Sequence, residues 1–358
     1  MNASSATISG LPAVCPARLD AAAPSGERLV LISPCRDEAA YMRRTLDSVA
    51  AQTRPPDLWI VVDDGSTDAT PEILAEYQAK LPYLRVIRRK DRGERKVGPG
   101  VIDAFYEGLA HADLAEFTHL CKLDLDLDLP PRYFELLLGR MRENPRIGTC
   151  SGKAYYPHPK TGRLISEACG DEMSVGMTKL YRTDCFTEIG GFVRAVMWDG
   201  IDCHRCRMFG WIAESYDDPE LRFTHLRPMG SSHKGIWTGR KRHGAGQYYM
   251  GTGLLYMCAS ALFRMTRPPY VVGGLGMLYG YLEAMLRGRP RYHDTAFRRF
   301  LREYQTRSLL LGKRATVAGI NLRQRPAWET SRGEPPAAHR SDSPRRPDTS
   351  AFQVSSVS

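Results

Sequence analysis

Short runs of apolar residues alternate with longer segments of helical periodicity along the first third of the chain. The apolar runs predict four buried β-strands, at residues 28–34, 58–62, 84–88 and 117–123. The intervening periodicity predicts helices at residues 38–52, 68–80 and 98–110. Because strand–helix alternation of this kind builds a sheet with helices on both faces, the pattern predicts a Rossmann-like, mostly parallel α/β fold.

The two ends of the chain differ in composition from this alternating region. Residues 1–26 are rich in Ala, Ser and Pro and predict a flexible leader, and residues 323–358 predict a disordered tail. Residues 27–226 then form the α/β domain, and residues 227–322 form a basic loop followed by helices. The leader lacks the apolar core of a signal peptide and no stretch has the length of a transmembrane helix, so we expect a cytoplasmic protein.

An excess of basic residues narrows the range of partners. The chain has 50 Lys and Arg residues against 40 Asp and Glu residues, which gives a formal net charge of +10. This balance favours anionic partners such as nucleotides and phospholipid surfaces. No recognition motif accompanies the basic residues, so nucleic-acid binding is not expected. The nine cysteines include a single C-x-x-C pair, which is too little for a zinc site and indicates reduced thiols.

Charged residues follow the first two predicted strands, where ligands of parallel α/β sheets bind. Pro34, Arg36 and Glu38 follow the first strand, and charged groups there can contact a ribose, a base or a phosphate. Asp63 and Asp64 follow the second strand, where a carboxylate can accept the imide N–H of uracil. Helix capping at the first position and ordinary turn chemistry at the second are the alternatives.

The end of the fourth predicted strand carries three acidic residues in an alternating pattern. Asp124, Asp126 and Asp128 alternate with leucines, and in an extended chain their carboxylates would project to one side. Three clustered negative charges need a counter-ion, and Mg²⁺ or Mn²⁺ suits oxygen ligands best. The alternative is a strand with a solvated acidic face.

A further acidic motif contains Asp199 and Asp202. Its sequence is typical of a loop that enters a helix. A carboxylate at this position can act as a general base toward an acceptor hydroxyl. Capping of the helix by either residue is the alternative.

These four motifs together resemble the family 2 glycosyltransferases, which have the GT-A fold. The resemblance lies within residues 28–215 and is carried by ISPCRDEAAYMRRTLDSVAAQT, WIVVDDGSTDATPEIL, KLDLDLDLPPRYF and GGFVRAVMWDGIDCHRCRMFGW. It implies a metal-dependent, inverting transfer of a sugar from a nucleotide-sugar donor, with a preference for UDP, to an acceptor hydroxyl. It further implies that Pro34, Arg36 and Glu38 line the nucleotide pocket. Asp64, with Asp63 beside it, is implied to recognise the base.

The resemblance assigns the chemistry to a second group of residues. It implies that Asp124 and Asp126 bind Mg²⁺ or Mn²⁺ together with the donor diphosphate. Lys96 falls in a glycine-containing stretch where donor contacts are common, and His225 is implied as a late metal ligand. Asp202 occupies the place of the catalytic base.

The chain departs from the family pattern at two positions. The family usually has Asn where this chain has Asp37, which affects the donor contacts expected there and leaves the fold prediction unchanged. The family often has two adjacent acids at the catalytic motif, whereas Ile201 precedes Asp202 here. The assignment of the base therefore depends on one carboxylate, with Asp199 as a nearby rival.

The C-terminal third combines apolar and basic residues. Residues 225–250 predict a glycine-rich basic loop that covers the donor phosphates or meets an anionic acceptor; a solvated basic loop is the alternative. Residues 249–264 and 268–286 predict apolar helices, and nine Lys and Arg residues follow between positions 287 and 314. Apolar helices flanked by basic charge suit the interface of an anionic membrane. A packed helical subdomain and a dimer interface are the alternatives.

Membrane contact would fit a lipid-linked saccharide as acceptor and a peripheral position on the inner face of the cytoplasmic membrane. Two other functions compete with glycosyl transfer. A sugar nucleotidyltransferase should have a glycine-rich phosphate loop after the first strand, but that place holds SPCRDEAA, without glycine. A non-catalytic nucleotide-sugar-binding protein is disfavoured because Asp124, Asp126 and Asp202 are all present.

Overall fold

The computed structural model describes residues 26–91, 93, 98–158, 160–227, 235–267 and 269–333. Its strands are β1 (Leu29–Cys35), β2 (Leu58–Asp63), β3 (Leu84–Arg88), β4 (His119–Leu123), β5 (Leu127–Asp128), β6 (Ile147–Ser151), β7 (Lys153–Pro157), β8 (Leu164–Ser166), β9 (Thr178–Arg182), β10 (Ile212–Ser215) and β11 (Arg222–His225). Its helices are α1 (Met42–Ala50), α2 (Thr70–Lys80), α3 (Pro99–Leu109), α4 (Tyr133–Glu143), α5 (Thr183–Glu188), α6 (Trp198–Met208), α7 (Ile236–Met250), α8 (Leu254–Met265), α9 (Val272–Leu286), α10 (Thr295–Leu311) and α11 (Lys313–Gly333).

A seven-stranded sheet forms the centre of the first domain, in the order β10–β6–β9–β4–β1–β2–β3. Strands β4, β1, β2 and β3 run parallel to one another, and β9 is antiparallel to both of its neighbours. A smaller sheet, in the order β5–β11–β7–β8, lies beyond the end of β4. The predicted mostly parallel α/β fold, with its four strands at the expected places, is confirmed.

The apolar runs of the strands feed two hydrophobic clusters, one on each face of the central sheet. Leu29 and Leu31 pack with α1, α2 and α4 on one face, whereas Val30 and Ile32 pack with α3, α5 and α6 on the other. Successive side chains of a strand point to opposite faces, so a strand covered by helices on both sides must be apolar at every position. This explains why the strands appear in the sequence as continuous apolar runs.

The C-terminal helices form two further clusters. Helices α10 and α11 pack with α6, and α7, α8 and α9 pack with one another. The glycine-rich basic segment predicted as a loop is largely helical, because residues 236–250 form α7. Residues 323–333, predicted to belong to a disordered tail, are helical because α11 continues to residue 333, and the rest of the predicted tail lies outside the described residues. Within the described ranges, no helix has both the length and the apolar character to cross a membrane.

Glycines bring α7 and α9 unusually close together. A Cβ atom at Gly244 would lie 1.9 Å from the carbonyl oxygen of Met277, and one at Gly280 would lie 2.0 Å from that of Lys241. Glycine at these positions permits backbone-to-backbone packing, as in helix pairs with small residues at four-residue spacing. Gly244 therefore serves helix packing and not a turn, which is why the loop prediction was wrong for residues 236–250.

Candidate active site

Parallel pairing brings the motifs that follow β1, β2 and β4 to one edge of the sheet. Cys35 of β1 is in register with Asp63 of β2, and Ile32 of β1 is in register with Lys122 of β4. The residues that follow these strands therefore emerge side by side at the carboxyl edge. This is the edge at which α/β sheets bind ligands.

Arginines surround the carboxylate predicted to recognise the base. Arg36 Nη1 donates to the backbone oxygen of Asp64 at 2.8 Å, and its Nη2 donates to Asp91 Oδ1 at 2.8 Å. Arg89 Nη1 donates to Asp64 Oδ1 at 2.9 Å. Asp63 is buried, and its Oδ1 accepts the backbone N–H of Ser66 at 2.8 Å. Asp63 therefore stabilises the turn after β2. Asp64 and Arg36 lie next to this turn and are joined by a hydrogen bond.

Asp37 shows why an acidic residue can replace the Asn that the family usually has there. Its backbone has a positive φ of 53°, in the left-handed region that Asn and Asp tolerate better than other non-glycine residues. Its Oδ1 accepts the backbone N–H of Thr67 at 2.8 Å. An Asn side-chain oxygen can accept the same bond, so this departure leaves the local fold intact.

Arg227 joins the first motif to the acidic motif after β4. Its Nη2 donates to Glu38 Oε1 and its Nε donates to Asp126 Oδ2, both at 2.6 Å. The guanidinium also lies 5.5 Å from the ring centre of Tyr41. Two carboxylates that are 88 residues or more apart from each other and from Arg227 in sequence thus share one positive charge.

Asp126 and His225 lie together behind Arg227. His225 Nε2 is 3.3 Å from Asp126 Oδ2, and His225 Nδ1 is 3.0 Å from Glu167 Oε1. Burial disfavours the charged imidazole, but its bonds to the two carboxylates raise the pKa of His225 to about 9. Burial likewise opposes ionisation of Asp126, yet the bond from His225 and the charge of Arg227 lower the pKa of Asp126 to about 2.

The other two carboxylates of the acidic motif point elsewhere. Lys122 Nζ donates to Asp124 Oδ1 and, at 3.0 Å, to the backbone oxygen of Gly176. Arg44 Nε of α1 donates to Asp128 Oδ2 at 2.9 Å. The three carboxylates therefore do not share one side, because the chain leaves β4 at Leu123 and re-enters a strand only at Leu127. The expectation of a single extended acidic face was wrong for Asp128.

The chemistry of this group fits a hard divalent cation. Asp126 Oδ1 is buried and accepts no hydrogen bond from the described part of the chain. Mg²⁺ and Mn²⁺ commonly use one or two protein ligands together with substrate phosphates. Across the described ranges, however, no three His, Cys, Asp or Glu side chains already surround a common point. Asp126 and His225 are the pair that could hold the ion, and His225 would first have to lose its proton.

Asp202, the predicted base, lies inside the protein. Its side chain is 1 % exposed and accepts hydrogen bonds from Lys179 Nζ and from the Tyr181 hydroxyl. Burial raises the pKa of Asp202, although the neighbouring Lys179 ammonium opposes this. These bonds hold α6 against β9. An acceptor hydroxyl would have to enter the core to meet this carboxylate.

Asp199 occupies the first turn of the same helix and is half-buried. Its carboxylate faces Gly176, where an added Cβ would lie 3.1 Å from Asp199 Oδ2. Lys122, which binds Asp124, also binds the carbonyl of Gly176. Lys179 donates to the backbone oxygen of Asp199 at 3.0 Å. Asp199 therefore borders the same edge of the sheet as the acidic motif.

Most of the residues predicted from the sequence lie at the carboxyl edge of the central sheet, namely Arg36, Glu38, Asp63, Asp64, Asp124, Asp126 and His225. Lys96 lies outside the described residues. Three basic residues that organise the site were not found from the sequence, namely Arg227, Lys122 and Lys179. Lys122 carried one detectable signal, because it is a charged residue inside a strand that was predicted to be buried.

This architecture defines a class of α/β protein in which arginines and carboxylates are paired at the carboxyl edge of the sheet. The crystal structure of GalNAc-T7 with UDP, GalNAc and Mn²⁺ has the same fold, with a TM-score of 0.53 at 16 % identity over 79 % of this chain and 57 % of that chain. The predicted GT-A fold is confirmed.

Residues 30–194 match the family model "Glycosyl transferase family 2". This match confirms the resemblance to the family 2 glycosyltransferases that the four motifs indicated.

Two relatives with assigned activities match shorter segments. The validoxylamine A glucosyltransferase of Streptomyces hygroscopicus subsp. limoneus is 31 % identical over 146 residues, or 39 % of this chain and 30 % of that protein. The poly-beta-1,6-N-acetyl-D-glucosamine synthase of Staphylococcus epidermidis is 25 % identical over 126 residues, or 35 % and 28 %. An uncharacterized Mycobacterium bovis protein is 34 % identical over 97 residues, 26 % of each chain. The matches thus span less than a third of each relative.

Proposed function

We propose that the protein is a metal-dependent, inverting glycosyltransferase that moves a sugar from a nucleotide-sugar donor to an acceptor hydroxyl. One observation carries the proposal: carboxylates from distant chain segments meet at the ligand edge of the sheet, where Arg227 joins Glu38 to Asp126. Clusters of buried, paired charges with shifted pKa values are typical of functional sites, and here the pKa values of Asp126 and His225 are both shifted. The family match over residues 30–194 supports the same reaction class.

The donor nucleotide is proposed to bind beside β1 and β2. Arg36 and the Asp64 carboxylate would line one side of the nucleotide. Pro34 and Glu38, at the end of β1 and just after it, would line the other. A carboxylate at the position of Asp64 can accept the imide N–H of uracil, which favours UDP. Arg227 would be close enough to the acidic motif to contact the donor diphosphate once the donor enters.

A divalent cation, Mg²⁺ or Mn²⁺, is proposed to bind at Asp126 and His225, with Asp124 as the third candidate ligand. Such an ion neutralises the negative charge that develops on a leaving nucleoside diphosphate. Asp126 supports this role through its buried, unbonded Oδ1. His225 supports it through its position against Asp126 Oδ2.

A carboxylate of α6 is proposed to remove the proton of the acceptor hydroxyl during an attack that inverts the anomeric carbon. The sequence favoured Asp202, but its burial and its bonds to Lys179 and Tyr181 favour a positioning role. Asp199 is the better placed base, because it is half-buried and faces Gly176 at the edge of the site. General-base catalysis typically contributes a factor of about 10²–10⁴ in rate.

The acceptor is proposed to be a saccharide, most simply a lipid-linked saccharide at the inner face of the cytoplasmic membrane. One relative is named as a poly-beta-1,6-N-acetyl-D-glucosamine synthase, an enzyme that makes a saccharide chain, and this supports a saccharide acceptor. The basic and apolar C-terminal helices support a peripheral membrane position.

A donor-hydrolysis screen tests the proposed function. UDP-, GDP- and dTDP-sugars are incubated with the full chain in Mn²⁺, in Mg²⁺ and in EDTA, and the release of nucleoside diphosphate is measured. We expect release from a UDP-sugar with metal and none with EDTA. A parallel assay supplies a nucleoside triphosphate and a sugar phosphate. Formation of nucleotide-sugar and pyrophosphate there, without donor hydrolysis, would identify a nucleotidyltransferase instead.

A further inference from the structure

Six large apolar side chains are exposed where α8 turns into α9. Because only a short connection separates the two helices, these residues lie at one corner of the molecule. The six are Leu262, Phe263, Tyr270, Val271, Val272 and Leu275, and between 46 % and 65 % of each residue is exposed. Clustered exposed apolar side chains mark an interaction surface in a soluble domain, whereas single ones do not.

Helix α9 continues this surface away from the corner. Its inner face is packed through glycines, with Gly274 against the carbonyl of Ala261 in α8 and Gly280 against Lys241 in α7. Its outer face carries exposed Val272, Leu275, Tyr279 and Leu286, at the spacing that places residues on one side of a helix. An exposed helix normally has a polar outer face, whereas α9 has a mainly apolar one that is interrupted only by Glu283.

Positive charge borders this surface at both ends. Arg264 and Arg267 lie at the corner, and Arg287, Arg289 and Arg291 follow the end of α9. Between residues 235 and 293 the sequence contains one acidic residue, Glu283, and it forms ion pairs with Lys241 and Arg287. The surface is therefore apolar in its centre and basic at its margins.

We propose that this α8–α9 face, meaning the six corner residues together with Tyr279 and Leu286, docks on the surface of an anionic lipid bilayer. The apolar side chains would enter the headgroup boundary, and the arginines would contact anionic headgroups. The helix lies in the interface and does not cross the membrane, which agrees with the lengths of the described helices. The biological use of this docking rests on the proposed lipid-linked acceptor.

Charge disfavours a second copy of this chain as the occupant. A two-fold dimer would place the same basic face against itself, since an isologous interface uses one patch on both copies. The arginines at both ends of the face would then repel one another. An anionic bilayer matches the same charges.

Vesicle cosedimentation tests the inference with the full chain. Vesicles of phosphatidylglycerol and phosphatidylcholine in equal parts are compared with vesicles of phosphatidylcholine alone, at low salt and at high salt. We expect binding to the anionic vesicles, about tenfold weaker binding without anionic lipid, and marked loss in high salt. Absence of binding to anionic vesicles at low salt overturns the proposal.

A pair of variants separates this face from other parts of the chain. Phe263→Glu combined with Leu275→Glu should weaken vesicle binding at least about tenfold, because apolar contact is lost and anionic lipid repels the new charges. Leu322→Glu on α11, where the leucine is 71 % exposed, is the matched control and should bind as the unchanged protein does. Thermal unfolding midpoints verify that each variant is folded.

Three results would contradict the inference. Unaltered binding by the double variant would place membrane contact elsewhere, and equal loss in the Leu322→Glu control would make the effect nonspecific. A dimer in solution that the double variant converts to monomer would assign the face to a second copy. The assay needs no donor, so a negative hydrolysis screen with intact vesicle binding would reject the proposed enzyme activity alone.

Discussion

The carboxyl edge of the central sheet and the α8–α9 face depart from ordinary protein surfaces in opposite ways. At the sheet edge, ionisable side chains such as Asp126 and Glu38 are buried and held by charged partners. At the α8–α9 face, apolar side chains such as Phe263 and Leu275 are left in solvent. Folding alone favours neither arrangement, because buried charge and exposed apolar area are both unfavourable.

The difference indicates two kinds of partner. Buried carboxylates with a bridging arginine suit small, highly charged ligands, whereas an apolar face with basic margins suits an extended anionic surface. The family match covers residues 30–194, so it includes Glu38 and Asp126 of the first region but ends before Arg227 and before the α8–α9 face. We therefore expect the sheet edge to carry the chemistry that the family has in common. We expect the C-terminal helices to determine the location at which this protein acts.

The largest effect is expected from Asp126→Ala. The variant removes the carboxylate that we assign to the cation and leaves Arg227 and His225 without their shared partner. Metal-dependent donor hydrolysis should fall by about 10³ or more, since several kcal/mol of charge stabilisation are lost. Asp128→Ala, in the same motif but paired with Arg44, is the matched control and should retain activity. An unchanged response to metal would exclude Asp126 as a ligand.

The second prediction distinguishes the two carboxylates of α6. Asp199→Asn should lower the rate of transfer by about 10²–10⁴ with nucleotide binding retained, because it removes the base without altering shape. Asp202→Asn should instead lower the free energy of unfolding by about 3 kcal/mol, since it leaves the buried Lys179 ammonium without its counter-charge. The reverse pattern in kinetics and chemical denaturation would return the base to Asp202.

Gly280→Val isolates the C-terminal helices from the sheet edge. The new side chain would collide with the carbonyl of Lys241, so the α7–α9 contact should open at a cost of about 3 kcal/mol. Nucleoside diphosphate binding should change little, whereas vesicle binding should be lost. Gly288→Val, just beyond α9 in open space, controls for the added volume, although its positive φ of 59° makes some strain unavoidable. Equal loss of both activities would show that the two regions fold as one unit.

The smallest effect is the pH dependence of stability in EDTA. The folded protein raises the pKa of His225 to about 9, above its ordinary value of 6.5, because Asp126 and Glu167 hold the charged ring. The resulting stabilisation is fully present below about pH 6.5 and is lost as pH rises through about 9. We expect the free energy of unfolding to fall gradually over this window, by about 1.4 kcal/mol for each pKa unit between the two values. His225→Gln should flatten the profile, and an unchanged slope in that variant would assign the titration to another group.

Patterns within the strands were enough to predict much of the fold. The strands β1, β2 and β3 were found almost to the residue, because a strand buried on both faces needs apolar side chains throughout. Helix α7 was missed because glycines in a sequence can indicate either turns or close packing between helices. Gly244 and Gly280 permit close packing only because each faces another helix, and a single sequence does not show that partner.

The candidate site was predicted at its strand ends and missed where distant segments supply a partner. Asp64 and Asp126 follow apolar strands, and this position in the sequence is itself the signal. Arg227 belongs to the basic segment 225–250 but had no role of its own in the prediction, because its role depends on contact with Glu38 and Asp126 across the fold. Asp202 was preferred over Asp199 because of its place in the motif. The three-residue separation along α6 directs Asp202 into the core and leaves Asp199 half-buried, and the motif alone does not show this difference.

Reciprocal binding of Mn²⁺ and a nucleoside diphosphate tests the central claim most directly. Free Mn²⁺ is measured by electron paramagnetic resonance during titration of the full chain, with and without UDP, GDP or dTDP. If Asp126 and His225 hold a cation that the donor diphosphate also contacts, one nucleotide should tighten Mn²⁺ binding by about tenfold or more, and Mn²⁺ should tighten that nucleotide equally. Nucleotide binding of the same strength in EDTA, with no change in Mn²⁺ affinity, would contradict the account.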